Sequence, residues 1–218
     1  MVTHDMKFLD GAVMRRIGRL ALVGLVGLCL SFGSVLSQAL AGPPTDSMKG
    51  TIDEVLRIIR DKELKQAAKA DERRSLLEKV VGERFDYQEM SRRALGAPWN
   101  QLSDKEKQEF VSLFQTLLTS SYAEKVESYS GEGVQYLNER TEKDYAEVRT
   151  KILSGKTEIP LDYRLINHGT DWRVYDVVVD GVSLVNNYRG QFTKILRASS
   201  YPDLVDQLRK KSDKLKSP

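Results

Sequence analysis

The spacing of apolar residues divides the chain into a helical first part and a sheet-forming second part. In the first part, apolar residues recur every three to four positions, which is typical of amphipathic helices. The longest predicted helix covers about 104–129 and begins with a capping box, Ser103-Asp104-Lys105-Glu106. Three shorter helices are predicted before it, at about 49–62, from Asp71, and from Asp86.

From Val134 onward the apolar period changes to two, which indicates strands with one buried face. Short turns separate the runs, so the pattern predicts an antiparallel meander of about four strands. After Asp180-Gly181 the helical period returns, and it predicts two further helices. We therefore expect one α+β domain in which helices pack on the meander. The predicted strands are 134–140, 145–153, 159–165 and 172–179, and the last two helices are 182–196 and 202–214.

The predicted strand 172–179 carries large apolar side chains on both of its faces. Strict alternation places Trp172, Val174 and Val178 on one face, and Tyr175, Val177 and Val179 on the other. Both faces of such a strand must be shielded from water. A second helix, a dimer partner or a bound apolar ligand could each supply the second cover.

The first 41 residues have the pattern of a secretory signal peptide. Three arginines up to Arg19 precede an apolar run over 20–36, and Ala39-Leu40-Ala41 follows it as a cleavage site. The run is short for a membrane span and is interrupted by Gly and Ser. The pattern predicts removal of residues 1–41 and a secreted single domain at 42–218, with a retained N-terminal anchor as the alternative.

Charge gives no indication of a nucleic-acid partner. The full chain has 34 Lys and Arg against 31 Asp and Glu. Removal of residues 1–41 takes away four basic and two acidic residues, which leaves 30 against 29 and a formal charge of +1. A protein that binds nucleic acid through its phosphates is normally far more basic.

Few residues in the predicted mature chain could perform catalysis. The only cysteine leaves with the signal peptide, and His168 is the only remaining histidine. Thiol catalysis, a histidine-centred triad and the usual zinc site are therefore excluded for residues 42–218. We expect no metal and no cofactor. Asp176 alternates with Trp172, Val174 and Val178 on one strand face, so it could be a buried general base or a hydrogen-bonded structural carboxylate.

Five sequence segments occur in an order that resembles a known family. They are F-D-Y-x-x-M-x-x-x-A-L-G-x-x-W at 85–99, L-S-x-x-E-x-x-x-F at 102–110, and then I-P-L-D-Y-R-L, W-R-V-Y-D-V and D-G-V-S-L-V-N-N-Y-R-G-Q-F. Over about residues 50–212 the chain resembles the MlaC/Ttg2D family. These proteins are the periplasmic phospholipid-binding components of the Mla system, also called toluene-tolerance or ABC-transporter auxiliary proteins.

The resemblance implies a fold, a function and partners. The fold would be a helical N-terminal half on a curved antiparallel or mixed sheet, similar to an NTF2-like cone with an internal lipid cavity. The function would be non-enzymatic carriage of phospholipid through the periplasm, which maintains the lipid asymmetry of the outer membrane. Bound phospholipid would be the cargo. The partners would be an outer-membrane lipoprotein–porin complex and an inner-membrane ABC transporter complex with MCE domains.

Under this interpretation, apolar residues of the long helix, the sheet and the following helix line the cavity. Arginines that adjoin apolar positions would meet the lipid head group at its rim. The head-group candidates are Arg149 and Arg189. The predicted lining residues are Tyr122, Val126, Val148, Ile152, Leu161, Tyr163, Leu165, Tyr175, Val177, Val185, Tyr188 and Phe192.

Two alternatives from other functional classes remain open at this point. One is an NTF2-like cone-fold enzyme, an isomerase or dehydratase, with Asp176 as the base and a tyrosine as the proton donor. The other is a secreted interaction module whose second apolar strand face forms a dimer interface.

Overall fold

Four helices precede the sheet in the computed structural model, which describes residues 42–127, 129, 133–155 and 157–216. The predicted signal peptide, residues 1–41, lies outside these ranges. The helices are α1 (Pro43–Arg60), α2 (Ala70–Arg84), α3 (Tyr87–Leu95) and α4 (Asp104–Glu127), with short 3-10 turns at Ala67–Lys69 and Ala97–Gln101.

Local capping explains where two of these helices begin. The Asp86 carboxylate accepts a hydrogen bond from the Glu89 N–H at 2.8 Å and caps α3. The predicted capping box of α4 is formed, because the Glu106 carboxylate accepts from the Ser103 N–H at 2.8 Å and the Ser103 hydroxyl accepts from the Glu106 N–H at 3.3 Å. By contrast, α2 begins at Ala70 after a 3-10 turn, so Asp71 is not its cap.

The first helix begins six residues earlier than predicted because a distant residue caps it. The carboxylate of Glu139, in the sheet, accepts hydrogen bonds from the N–H groups of Gly42 at 3.2 Å and Thr45 at 2.8 Å. Proline at the first positions of α1 suits this start, since its missing N–H would have no partner there.

The sheet contains five antiparallel strands in the order β1-β2-β3-β4-β5. The predicted meander is confirmed. The fifth strand was not predicted: Val182 and Ser183 pair with the end of β4, so the next helix begins at Leu184 instead of Val182. The elements are β1 (Gly133–Glu142), β2 (Tyr145–Ser154), β3 (Thr157–His168), β4 (Asp171–Val179), β5 (Val182–Ser183), α5 (Leu184–Ala198) and α6 (Tyr201–Lys216).

A β-bulge in β4 overturns the predicted assignment of its faces. Arg164 pairs with Asp176 and Leu165 pairs with Val174, so Tyr175 has no partner of its own in β3. The extra residue shifts the alternation, and Val177 therefore shares a face with Trp172 and Val174. The prediction that β4 is apolar on both faces is wrong. One face is strongly apolar, while the other carries Tyr175, Asp176 and Val178.

One face of the sheet, called the apolar face below, forms the first hydrophobic core. Helix α1 lies across it and buries Met48 to 1% exposure, with Ile52 and Phe85 packed beside it. The register places on this face Val134, Tyr136, Glu139, Ala146, Val148, Thr150, Ile152, Ile159, Leu161, Tyr163, Leu165, Trp172, Val174, Val177 and Val179.

The opposite face, called the polar face, carries charged side chains over most of its area. Those in the centre of the sheet are Glu147, Arg149, Asp162, Arg164 and Asp176, with Tyr175 beside them at the bulge. At β4 this face meets the helical layer, because Arg93 of α3 stacks on the Tyr175 ring at 4.0 Å. Helix α5 also packs against β4.

The helical layer has a core of its own, built from aromatic rings. Phe114 of α4 contacts Tyr188 and Phe192 of α5, with ring centroids 5.1 and 5.5 Å apart. Phe110 joins the same cluster, and Leu204 and Leu208 of α6 are fully buried. Within the described residues, no helix combines the length and the hydropathy that crossing a bilayer requires.

Candidate functional site

The structure brings half of the predicted lining residues together on the apolar face. Strand register pairs Val148 with Tyr163, and Tyr163 in turn with Val177. The residues gathered in this way are Val148, Ile152, Leu161, Tyr163, Leu165 and Val177. They come from three adjacent strands and form one continuous, mainly aliphatic surface.

Burial along this surface changes from one end to the other. At the end under α1, Val148, Leu165 and Val174 are all 0% exposed. At the other end, five aliphatic side chains are only half-buried, and we call this group the open end. It comprises Val134, Ile152, Ile159, Leu161 and Val179. A contiguous half-covered aliphatic surface of this kind is where an apolar ligand gains most from contact with protein.

A tyrosine fixes the geometry beside the open end. The Tyr129 hydroxyl hydrogen-bonds to the backbone of Gly133, accepting from its N–H at 2.9 Å, and lies 3.1 Å from the carbonyl oxygen of Leu153. These bonds tie the chain after α4 to the first residues of β1 and the last residues of β2. The ends of both strands are therefore held in place next to the aliphatic surface.

Tyr136 is a residue of this face that the sequence did not single out as part of the site. It pairs with Thr150 and lies next to the open end. Its hydroxyl is buried and has no hydrogen-bond partner in the described part of the chain. The Lys49 ammonium of α1 lies 5.3 Å from the ring centroid. Its advance signals were the recurrence of tyrosines along the strands and its period-2 spacing from Val134, which a register shift after Tyr136 ends.

The remaining predicted lining residues lie elsewhere. Val185, Tyr188 and Phe192 are buried in the helical layer, where Tyr188 and Phe192 contact Phe114. Tyr175 lies on the polar face, with its ring against Arg93 and Tyr145.

Two of the predicted lining residues belong to the long helix, α4. Tyr122 is half-buried on α4. The side chain of Val126 lies outside the described residues, so its predicted contact with lipid stays a prediction.

Neither arginine chosen as a head-group candidate lies on the apolar face. Arg149 points from the polar face and pairs with Glu147 at 2.8 Å, with its side chain 56% exposed. Arg189 lines a cleft of about 210 Å³ together with Arg93 and Arg164. Its guanidinium packs on Gly96, where an added Cβ would lie 3.4 Å away. This cleft includes Tyr175 and Asp176, so it opens on the polar side of the sheet.

Asp176 is held as a structural carboxylate. It is 3% exposed and accepts hydrogen bonds from Arg164 at 3.0 Å, from the Ser183 hydroxyl at 2.7 Å and from the Val185 N–H at 3.0 Å. These bonds connect β3, β5 and the start of α5 to β4. Both oxygens of Asp176 are therefore engaged in bonds that hold the fold together. The described residues contain no cluster of His, Cys, Asp or Glu that could hold a metal ion.

Comparison with known proteins gives a consistent result. The family model described as MlaC protein matches residues 49–210. The intermembrane phospholipid transport system binding protein MlaC of Haemophilus influenzae is 23% identical over 122 residues, which cover 53% of this chain and 57% of that protein. The match therefore spans just over half of the Haemophilus protein. The toluene tolerance protein ttg2D of Pseudomonas putida is 23% identical over 177 residues, 80% of this chain and 81% of the relative.

A solved structure has the same fold. The phospholipid-binding protein from Ralstonia solanacearum, determined in complex with a phospholipid, superimposes with a TM-score of 0.69 at 25% sequence identity. The match covers 79% of this chain and 98% of the Ralstonia chain. The α+β fold predicted from the sequence is confirmed, with an open five-stranded antiparallel sheet.

Proposed function

Because the MlaC family model covers most of its length, the chain belongs to the MlaC family, and we propose that it is a periplasmic carrier of phospholipid. In this proposal residues 1–41 direct export and are removed. The carrier then moves lipid between an outer-membrane lipoprotein–porin complex and an inner-membrane ABC transporter with MCE domains, and so maintains outer-membrane asymmetry. The names of the Haemophilus and Pseudomonas relatives and the ligand of the Ralstonia protein support this assignment.

The observation that carries the proposal is the open end of the apolar face. Two acyl chains contain roughly 30 methylenes, and each is worth about 0.8 kcal/mol when removed from water. A carrier must therefore offer a dry aliphatic surface of comparable quality. Val134, Ile152 and Ile159 form such a surface at the edge of the core, and Val148 and Leu165 extend it inward under α1.

Acyl chains would enter at the open end and lie along β2 and β3. Hydrophobic contact is non-directional, so lipid can replace part of the cover that α1 provides without breaking a specific bond. The expected internal cavity is then the space between α1 and the apolar face in the loaded protein. Val185, Tyr188 and Phe192 would support the fold from the helical layer instead of touching lipid.

The bonding of Asp176 favours a carrier over the cone-fold enzyme. The enzyme alternative needs a carboxylate that is free to take a proton from a substrate. Both oxygens of Asp176 already accept hydrogen bonds that hold the sheet to α5. The carrier needs no catalytic group.

Lipid extraction tests the proposal directly. Protein purified without detergent should contain phospholipid by mass spectrometry, and it should take up phospholipid from vesicles. The substitution Ile152→Glu, at the open end, should reduce uptake at least tenfold, because it places a carboxylate against the acyl chains.

Leu137→Glu is the matched control, since Leu137 is 42% exposed on β1 and lies off the apolar face. This variant should take up lipid like the wild type. Wild-type protein that is free of lipid and takes none from vesicles would overturn the carrier function.

A further inference from the structure

Two side chains on the apolar face, Tyr136 and Asn167, have a buried polar atom without a hydrogen-bond partner among the described residues, and Tyr136 is the one beside the open end. The Tyr136 hydroxyl is buried and lacks a hydrogen-bond partner among the described residues. Buried polar groups are nearly always paired, because an unpaired one keeps the full cost of leaving water. The position of Tyr136 beside the open end therefore points to a partner that comes from outside the chain.

The neighbours of Tyr136 do not fill this role. Across the strand, the Thr150 hydroxyl donates to the carbonyl oxygen of Leu161 and is already used. Lys49 lies over the Tyr136 ring, 5.3 Å from its centroid, and not at its hydroxyl. Lys49 itself makes no ion pair in the described part of the chain.

The hydroxyl remains a hydrogen-bond donor at neutral pH. Burial, and secondarily the nearby carboxylate of Asp53, raises the pKa of Tyr136 far above its ordinary value. The missing partner is therefore a hydrogen-bond acceptor. The site that it would occupy is apolar on one side and positively charged on the other. Aliphatic side chains of the open end lie on one side, and the Lys49 ammonium lies near the ring.

A glycerophospholipid has an acceptor in the same kind of surroundings. Its ester carbonyls stand between the acyl chains and the phosphate. If the chains lie on Ile152 and Leu161, an ester carbonyl comes next along the molecule, and the phosphate follows it. The order of aliphatic surface, hydroxyl donor and ammonium on the protein matches this order on the lipid.

We propose that the Tyr136 hydroxyl donates a hydrogen bond to an ester carbonyl of the bound phospholipid, and that Lys49 pairs with its phosphate. This assignment rests on the carrier function proposed above and adds to it a site that distinguishes lipids. The protein selects ester-linked phospholipids over ether-linked ones, because an ether oxygen is a much poorer acceptor than a carbonyl.

The test compares diester and diether phospholipids with the same chains and the same head group, supplied together in vesicles. Bound lipid is quantified by mass spectrometry. Wild-type protein should prefer the diester about five- to tenfold, the value of one buried hydrogen bond. Tyr136→Phe should bring this ratio close to one.

Tyr145→Phe is the matched control, because Tyr145 is 43% exposed on the polar side of β2. It should retain the wild-type ratio. Tyr136→Phe should also raise the thermal midpoint of lipid-free protein by ~2–4 °C, since it removes an unpaired buried hydroxyl. A lower midpoint would mean that the hydroxyl has a partner in the protein, and would overturn the proposal.

Lys49 is tested separately with phospholipid against diacylglycerol, which has the same esters but no phosphate. Lys49→Gln should reduce the preference for phospholipid and leave the diester-to-diether ratio unchanged. Equal binding of diester and diether by the wild type, with normal uptake of both, overturns the ester site while the carrier function stands. Uptake of neither lipid overturns the carrier function itself.

Discussion

The two faces of the sheet are attached to the rest of the protein by different kinds of interaction. The apolar face is covered by α1 mainly through aliphatic and aromatic contacts, which depend on area and have no preferred direction; hydrogen bonds to Glu139 hold the first residues of the helix. The polar face is joined to α5 by the hydrogen bond from the Val185 N–H to Asp176, and to α3 by the stacking of Arg93 on the Tyr175 ring.

This difference assigns a role to each face. A surface held by non-directional contact can exchange one apolar cover for another at modest cost, which a lipid carrier requires. A surface held by specific bonds loses them if it moves. In the proposed carrier, the polar face and the helical layer therefore act as the rigid part, and the space between α1 and the apolar face accepts cargo.

The largest effect should come from the covered end of the apolar face. Leu165→Ala removes a fully buried side chain and should lower the free energy of unfolding by about 2–4 kcal/mol in urea titration. Ile152→Ala at the open end should cost less than half as much, because that side chain is half-buried. Equal losses at the two positions would remove the distinction between the covered and open ends.

A somewhat smaller loss is expected on the polar face. Asp176→Ala leaves the Val185 N–H and the Ser183 hydroxyl without their acceptor, and should destabilise the protein by about 2–3 kcal/mol in urea. Asp176→Asn keeps one acceptor oxygen and should cost less. If Asp176→Asn folds normally and still transfers lipid, the cone-fold enzyme has no remaining support.

Glu89 of α3 should make the free energy of unfolding depend on pH in the acid range. Burial raises the pKa of Glu89, but hydrogen bonds from Arg92 and Arg93 outweigh it, so the pKa lies below its ordinary value. The folded state therefore favours the ionised carboxylate. Its contribution is complete above the pKa of the unfolded chain, about 4.3, and is lost as the pH falls through the lower folded pKa.

Urea titrations between pH 6 and pH 3 measure this contribution. Glu89→Gln should unfold with a weaker dependence on pH across the acid range than the wild type. An identical slope for the two proteins would show that the pairs with Arg92 and Arg93 contribute nothing to stability.

The smallest effect is expected from Arg149. Its ion pair with Glu147 is largely exposed, so Arg149→Ala should change the free energy of unfolding by less than about 0.5 kcal/mol. Uptake of lipid from vesicles should be unchanged, since Arg149 points away from the apolar face. A clear loss of uptake would indicate that Arg149 contacts the head group. It would contradict the assignment of lipid binding to the apolar face alone.

The sequence predicted those parts of the fold that are determined by neighbouring residues. The capping box at Ser103 and the alternation in β2 and β3 are local, and the structure contains both. The bulge at Tyr175 was missed because it arises from how β4 pairs with β3, and no residue in β4 alone indicates it. The wrong face for Val177 followed directly from that.

Only part of the candidate site was predicted, again because the rest depends on contacts between distant segments. Helical period shows that Val185, Tyr188 and Phe192 form an apolar stripe, but it does not show which surface the stripe will meet. The stripe meets Phe114 in the helical layer. Tyr136 was missed because its significance lies in a hydroxyl without a partner, which only a three-dimensional structure reveals.

The bond between Glu139 and Gly42 lies directly beside the predicted cleavage site. Cleavage after Ala41 would convert the Gly42 amide into a new chain terminus, an ammonium 3.2 Å from the Glu139 carboxylate. A Cβ on Gly42 would lie 2.2 Å from a Glu139 oxygen, so a larger residue there would displace this carboxylate. The uncleaved chain has a neutral N–H at this point, whereas the predicted mature protein would gain an ion pair between its first residue and the sheet. Export would thus complete the attachment of α1 only after the leader has gone.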